Sequence, residues 1–172
     1  MSADAILIDN FGQDYLLFER AAALHNAGYG SRALVPTFSL TDPGALTLEK
    51  AIADVMIRIA HLKSAETIPV GQQLEPISLN VAYQIREYLR AEHIRSVLVV
   101  TSGFRGRRAA LIYKAILGEA GVAVSCVPVF GTTTPENWTR TWHGVQEVAL
   151  EFLKLNYYRI YVLPFGRQQA QG

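Results

Sequence analysis

Short, almost wholly apolar runs rich in Val, Ile, Leu and Ala alternate along this chain with longer segments in which apolar residues return every three or four positions. The runs are Ala5–Ile8, Ala33–Pro36, a weaker one at Thr67–Val70, Ser96–Val100 and Val122–Val127. None alternates apolar with polar residues as a strand with one wet face does, so each reads as a strand covered on both faces. The longer segments, Asp14–Ala27, Ala45–Leu62, Leu79–Glu92, Arg107–Glu119 and Asn137–Tyr158, carry the period of helices. Gly28 and Gly121 follow the first and fourth of them, where a helix end takes up a left-handed residue. Every connection is long enough for a right-handed crossover between parallel strands. The pattern therefore predicts an α/β fold, a Rossmann-like three-layer sandwich around a central, mainly parallel five-stranded sheet.

Composition narrows the picture. With 172 residues, 50% hydrophobic and 18% charged, the chain can bury a core and lacks the polar bias of disorder. A single domain over residues 1–166 is expected, with 167–172 a frayed polar tail. A net charge of +1 gives no overall field for nucleic acid, so an anion site must be a local cluster. No basic, apolar leader opens the sequence. The longest uncharged stretch, Ala120–Pro135, is broken by glycine, proline and threonine and falls short of the ~20 apolar residues that span a bilayer. A cytoplasmic protein without a membrane span is the expectation. Cys126, alone in an apolar run, reads as a core residue in a reducing compartment. His25, His61, His93 and His143 are too far apart for a local metal motif, so there is no metal signature.

In an open α/β sheet, ligands bind beyond the carboxyl ends of the strands. The loops at those ends are polar. Asp9 and Asn10 follow the first strand, Thr37 and Ser39 the second, and Glu75, Ser78 and Asn80 the third; Thr101, Ser102, Phe104, Arg105 and Arg108 follow the fourth. The last group puts hydroxyls and arginine forks at a helix start, a setting that suits phosphate or carboxylate. The bland readings are a serine cap with solvated arginines, Ser78 as a cap beside a solvated Glu75, and Asp-Asn as turn chemistry. The site reading is a small anionic ligand, nucleotide-like or phosphorylated, between the first and fourth strands. Thr101, Ser102, Arg105 and Arg108 would hold its anionic group, with Asp9, Asn10, Ser78 and Asn80 on the opposite wall. Asp9 and Glu75 are weak candidates for an acid or base, and no other cofactor is indicated.

Near the C-terminus, Thr134-Pro135-Glu136-Asn137 signals a helix start, Trp138 and Trp142 would lie one turn apart on one face, and aromatics continue to Phe165. Such a helix would cover the last strand, or meet a second copy, a protein partner or a membrane surface. The alternative function is thus a non-catalytic interaction domain, a homodimer among its forms. Ligand binding requires Arg105 or Arg108 to face a pocket shared with Asp9. The interaction reading puts those arginines in local ion pairs and leaves the Trp138/Tyr157 face exposed.

Four stretches resemble the bacterial YdcF/SanA/ElyC-like domain family, whose activity is poorly defined: Ala3–Ile8, Arg20–Val35, Val97–Ala109, and Asn137-Trp138 through Glu147, Glu151 and Lys154 to Tyr158. The third is the specific one, with Thr101, Ser102, Phe104, Arg108 and Ala109 matching the family signature. The resemblance implies a Rossmann-like parallel sheet, a site at the strand ends and a setting in cell-envelope or surface-polymer metabolism. Arg105 stands where the family has His, Asp9-Asn10-Phe11-Gly12 replaces its Gly-rich loop, and Ser78-Leu79-Asn80-Val81-Ala82 replaces its Thr-x-Glu-Asn-Ala. If the family's chemistry uses that Glu and that His, this chain has lost both. Arginine can bind an anion but cannot exchange a proton near neutral pH.

Overall fold

The computed structural model describes residues 2–12, 14–39, 48–71 and 76–165. Five strands, β1 (Ala3–Ile8), β2 (Gly30–Ser39), β3 (Ala65–Gly71), β4 (Ser96–Ser102) and β5 (Ala123–Val129), alternate with four helices. These are α1 (Tyr15–Asn26), α2 (Leu48–Ile59), α3 (Ile77–Ala91) and α4 (Gly106–Gly118). A 3₁₀ turn at Trp138–Arg140 leads into α5 (Trp142–Tyr157), which runs on through a π-helical turn at Tyr158–Val162. All strand pairs are parallel, in the order β3-β2-β1-β4-β5. The fold class expected from the alternation is the one observed.

β1 shows why its run is apolar throughout. Ala5 and Leu7 point into the core shared with α3 and α4, while Ile6 and Ile8 point into the core shared with α1, and all four are fully buried. Each large side chain buried this way contributes about 1.5–3 kcal/mol. From β1 to β3 the sheet grows in one direction. α3 then carries the chain back across to the other side of β1, and growth resumes in the opposite direction through β4 and β5. The loops leaving β1 and β4 therefore part on opposite faces of the sheet, which opens a crevice at their carboxyl ends. The strands stay in register up to that point, with Ile8 beside Val100 and the Asp9 amide donating to the Val100 carbonyl at 2.9 Å.

Gly28 and Gly121 have φ of +78° and +75°, the left-handed helix exits that their spacing predicted. Other local expectations are corrected. α3 starts at Ile77 with Pro76 as the flanking extended residue, so Ser78 lies within the first turn and does not cap it. The C-terminal helix does not begin at Asn137. Thr141 is extended (φ −132°, ψ 149°) and its hydroxyl accepts from the Gly144 amide, which starts a new helix and leaves Trp138 and Trp142 on separate elements. Gly144 is required there, because a Cβ would collide with the Trp138 backbone. α5 packs on α4, and Ala123, Ser125 and Pro128 of β5 stay exposed. The expectation that this helix covers the last strand fails, because β5 gets its cover from α4.

At the opposite, amino ends of the strands, Arg32 of β2 donates to Glu66 of β3 at 2.7 Å and to Glu92 after α3 at 3.1 Å, and Tyr88 of α3 also donates to Glu66. Those bonds hold the Glu66 carboxyl below its usual range, and burial with the Glu66 charge pushes the Tyr88 hydroxyl up to about 12. This cluster ties α3 to the sheet edge. Among the described residues, no helix is long and apolar enough to cross a membrane.

Candidate functional site

The crevice is built around Asp9, whose side chain is fully buried at the end of β1. Thr101, at the end of β4, donates to its Oδ2 at 2.8 Å, and Arg105, at the start of α4, donates through Nε to Oδ2 at 2.6 Å and through Nη2 to Oδ1 at 3.3 Å. Tyr113, two turns into α4, donates to Oδ1 at 3.0 Å. A carboxylate offers about four lone-pair sites, and four donors occupy them here. Burial opposes the Arg105 charge, but Asp9 more than offsets it and holds the guanidinium above its ordinary value. Burial, followed by the Asp9 charge, drives the Tyr113 hydroxyl well above its usual range, so it stays protonated and donates. Asp9 in this state is a saturated acceptor.

The network runs on toward α5. Arg105 lies over the Phe11 ring, 4.4 Å from its centroid, and reaches Ser78 at 3.5 Å. Arg108 approaches the same Ser78 hydroxyl at 3.4 Å and clamps Glu151 of α5 through two bonds of 2.9 Å, with the Tyr158 ring beneath it. Asp9, Arg105, Arg108 and Glu151 together carry no net charge. Both arginines expected to hold an anion thus face carboxylates of the chain itself, and Asp9 is in direct contact with Arg105 instead of standing across a pocket from it.

The remaining expected residues divide. Thr37 is buried near the end of β2, and no bond links it to Asp9 among the described residues. Asn10 is buried next to Asp9, and among the described residues its Oδ1 has no hydrogen-bond partner. Buried acceptors are rarely left so and normally accept from a water or a ligand donor. Asn80 is half-buried in the first turn of α3. Ser102 and Ser39 close β4 and β2. Phe104 meets the Phe130 ring edge to face at 5.3 Å and lines a different groove. Glu75 lies outside the described residues. Sequence reasoning missed Tyr113 and the partnership of Glu151. Tyr113 carried a usable signal: it sits eight residues after Arg105 on the same helical face, a lone hydroxyl among apolar neighbours.

Beyond the crevice, two concave surfaces stand out. One of about 490 Å³ lies between α1 and α2, lined by Tyr15, Ala51, Ile52, Val55, Met56 and Ile59, and offers almost no polar group to orient a ligand. The other, about 450 Å³, lies between the start of α4, β5 and α5, with Cys126 in its wall. Burial pushes the Cys126 thiol up to about 11, so it is a neutral wall element at physiological pH and not a nucleophile. Among the described residues, no cluster of His, Cys, Asp and Glu is arranged to hold a metal ion. No protein-family model matches the chain, and no curated protein sequence matches it.

Proposed function

We propose that this protein is an interaction domain that pairs with a second copy of itself through α5. The observation that carries this reading is that α5 is apolar on two opposite faces. Its inner face seats Val148, Leu155, Tyr158 and Val162 toward the domain, whereas Leu150, Leu153, Tyr157 and Ile160 are exposed, at the four- and three-residue spacing of a helix–helix seam. A helix with two opposite apolar faces has a second face to bury beyond the one that meets its own domain. Trp142 extends the stripe at one end, and along the other Tyr157 stacks on Tyr161, which meets Phe165 at a tilt, each pair with ring centroids 5.6 Å apart. These four aromatics are 52–73% exposed. At ~150–250 Å² for each aromatic side chain, and with the three aliphatic residues added, the stripe offers on the order of 700 Å². Each partner in a standard interface contributes about 800 Å².

Charge selects the occupant. Glu147 and Lys154 lie seven residues apart on one flank of the seam, both exposed. In an antiparallel pair centred between them, Glu147 of each protomer meets Lys154 of the other. A membrane surface would call for a Lys/Arg-rich flank, and this flank carries both signs. The saturated Asp9 and the neutralised arginines fit the same reading, since they leave the crevice no uncompensated cation for an anion.

Reversing one flank charge tests the pairing. Glu147→Lys and Lys154→Glu should each weaken the dimer about three- to tenfold, as like charges then face each other, and the double variant should restore it. Size-exclusion chromatography with light scattering across a concentration series reads the effect. Dimers unaffected by either single change, or a double variant weaker than both, would exclude this interface.

A second reading, a small polar ligand in the crevice, is supported by the unpartnered Asn10 carbonyl. A donor group that satisfies it and binds only the folded state raises the melting temperature, and Asn10→Leu should abolish that rise while leaving the melting temperature of the free protein nearly unchanged.

A further inference from the structure

We infer that the groove between the start of α4, β5 and α5 is a binding site for a flat apolar carboxylate or similarly compact organic anion. This site is separate from the Asp9 crevice and from the outer stripe of α5, and it does not rest on self-association.

Its walls are largely aromatic and aliphatic. Phe104 and Phe130 stand edge to face, and Gly103 is bare because a Cβ there would collide with the Phe130 ring. Pro135 and Phe152 close the groove from the far side. A volume of about 450 Å³ falls in the range of small-molecule sites. Two charged side chains line it, Arg107 and Glu151. Glu151 is spent, clamped by Arg108 and approached by Lys154 at 3.4 Å. Arg107 is exposed, and no ion pair or hydrogen bond engages its side chain among the described residues. The three cations of this segment therefore have different fates: Arg105 and Arg108 are consumed inside the fold, and Arg107 is left at the edge of an aromatic groove. Flat walls select a planar apolar body, and the unpaired guanidinium selects an anionic head that it can meet with two parallel hydrogen bonds.

2-Naphthoate, with the uncharged 2-naphthylmethanol as its control, tests the inference through amide chemical-shift titration of the whole chain. Naphthoate is expected to move the Gly103, Phe104, Gly106 and Arg107 amides. Arg107→Gln should weaken naphthoate about tenfold and leave the alcohol unchanged, and Ala110→Leu, which fills the groove from α4, should remove both. Leu153→Glu, on the outer stripe, should alter neither affinity. The inference is overturned if naphthoate moves only the outer stripe or the Asp9–Asn10 amides, if Arg107→Gln weakens acid and alcohol alike, or if wild type shows no saturable shift.

Discussion

Asp9→Ala is expected to cost about 3–5 kcal/mol of folding stability, the largest effect of any single substitution at the crevice. The change leaves the Arg105 guanidinium, only 14% exposed, without its counter-charge, and removing one partner of a buried pair costs that much in general. For a chain of this length the loss corresponds to a fall in melting temperature on the order of 10 °C. Adding Arg105→Met should not recover it. Tyr113 and Thr101 still lose the oxygen to which they donate, and each buried hydroxyl left unsatisfied costs about 1–3 kcal/mol. Urea unfolding of the single and double variants measures both steps. A double variant as stable as wild type would show that the neutral donors contribute little and that the cluster is only an ion pair.

The pair between α4 and α5 should behave differently. Glu151→Ala leaves Arg108, 5% exposed, facing Ser78 and a tyrosine ring with no carboxylate, and is expected to cost about 3–4 kcal/mol. Much of that loss should appear locally, as faster amide exchange along α5. Here the double replacement Arg108→Met with Glu151→Met should come back to within about 1 kcal/mol of wild type, because Lys154 beside Glu151 is open to solvent, Ser78 beside Arg108 is also reached by Arg105, and methionines fill the space. Additive losses in the double variant would contradict this account of how α5 is held. The contrast between the two pairs follows from partner count: Asp9 serves three side chains, Glu151 mainly one.

What was legible in the sequence follows from range. Strands buried on both faces have to be continuously apolar, so β1, β4 and β5 could be placed to within a few residues from local pattern alone. β2 runs from Gly30, three residues before its apolar run, because Gly30 and Arg32 are held by backbone pairing to Ala3 and Ala5 of β1, and such pairing leaves no mark on side-chain polarity. The site was half legible for the same reason. Asp9, Asn10, Thr101 and Arg105 gather at one crevice because strand ends are predictable and the winding of the sheet brings two of them together. Their mutual charge compensation was not legible: Arg105 meets Asp9 across 96 residues and Arg108 meets Glu151 across 43, and no local periodicity encodes a partner at that distance. Three arginines within four residues at a helix start read as an open anion site until the carboxylates that consume two of them are located.

Self-association carries the functional reading, and sedimentation equilibrium on the wild-type chain tests it most directly. A reversible monomer–dimer equilibrium is expected, with a limiting mass twice that of the chain, shifted to monomer by Leu153→Glu at unchanged melting cooperativity. A single species of monomer mass from micromolar to millimolar concentration would contradict it and leave the outer face of α5 without a function.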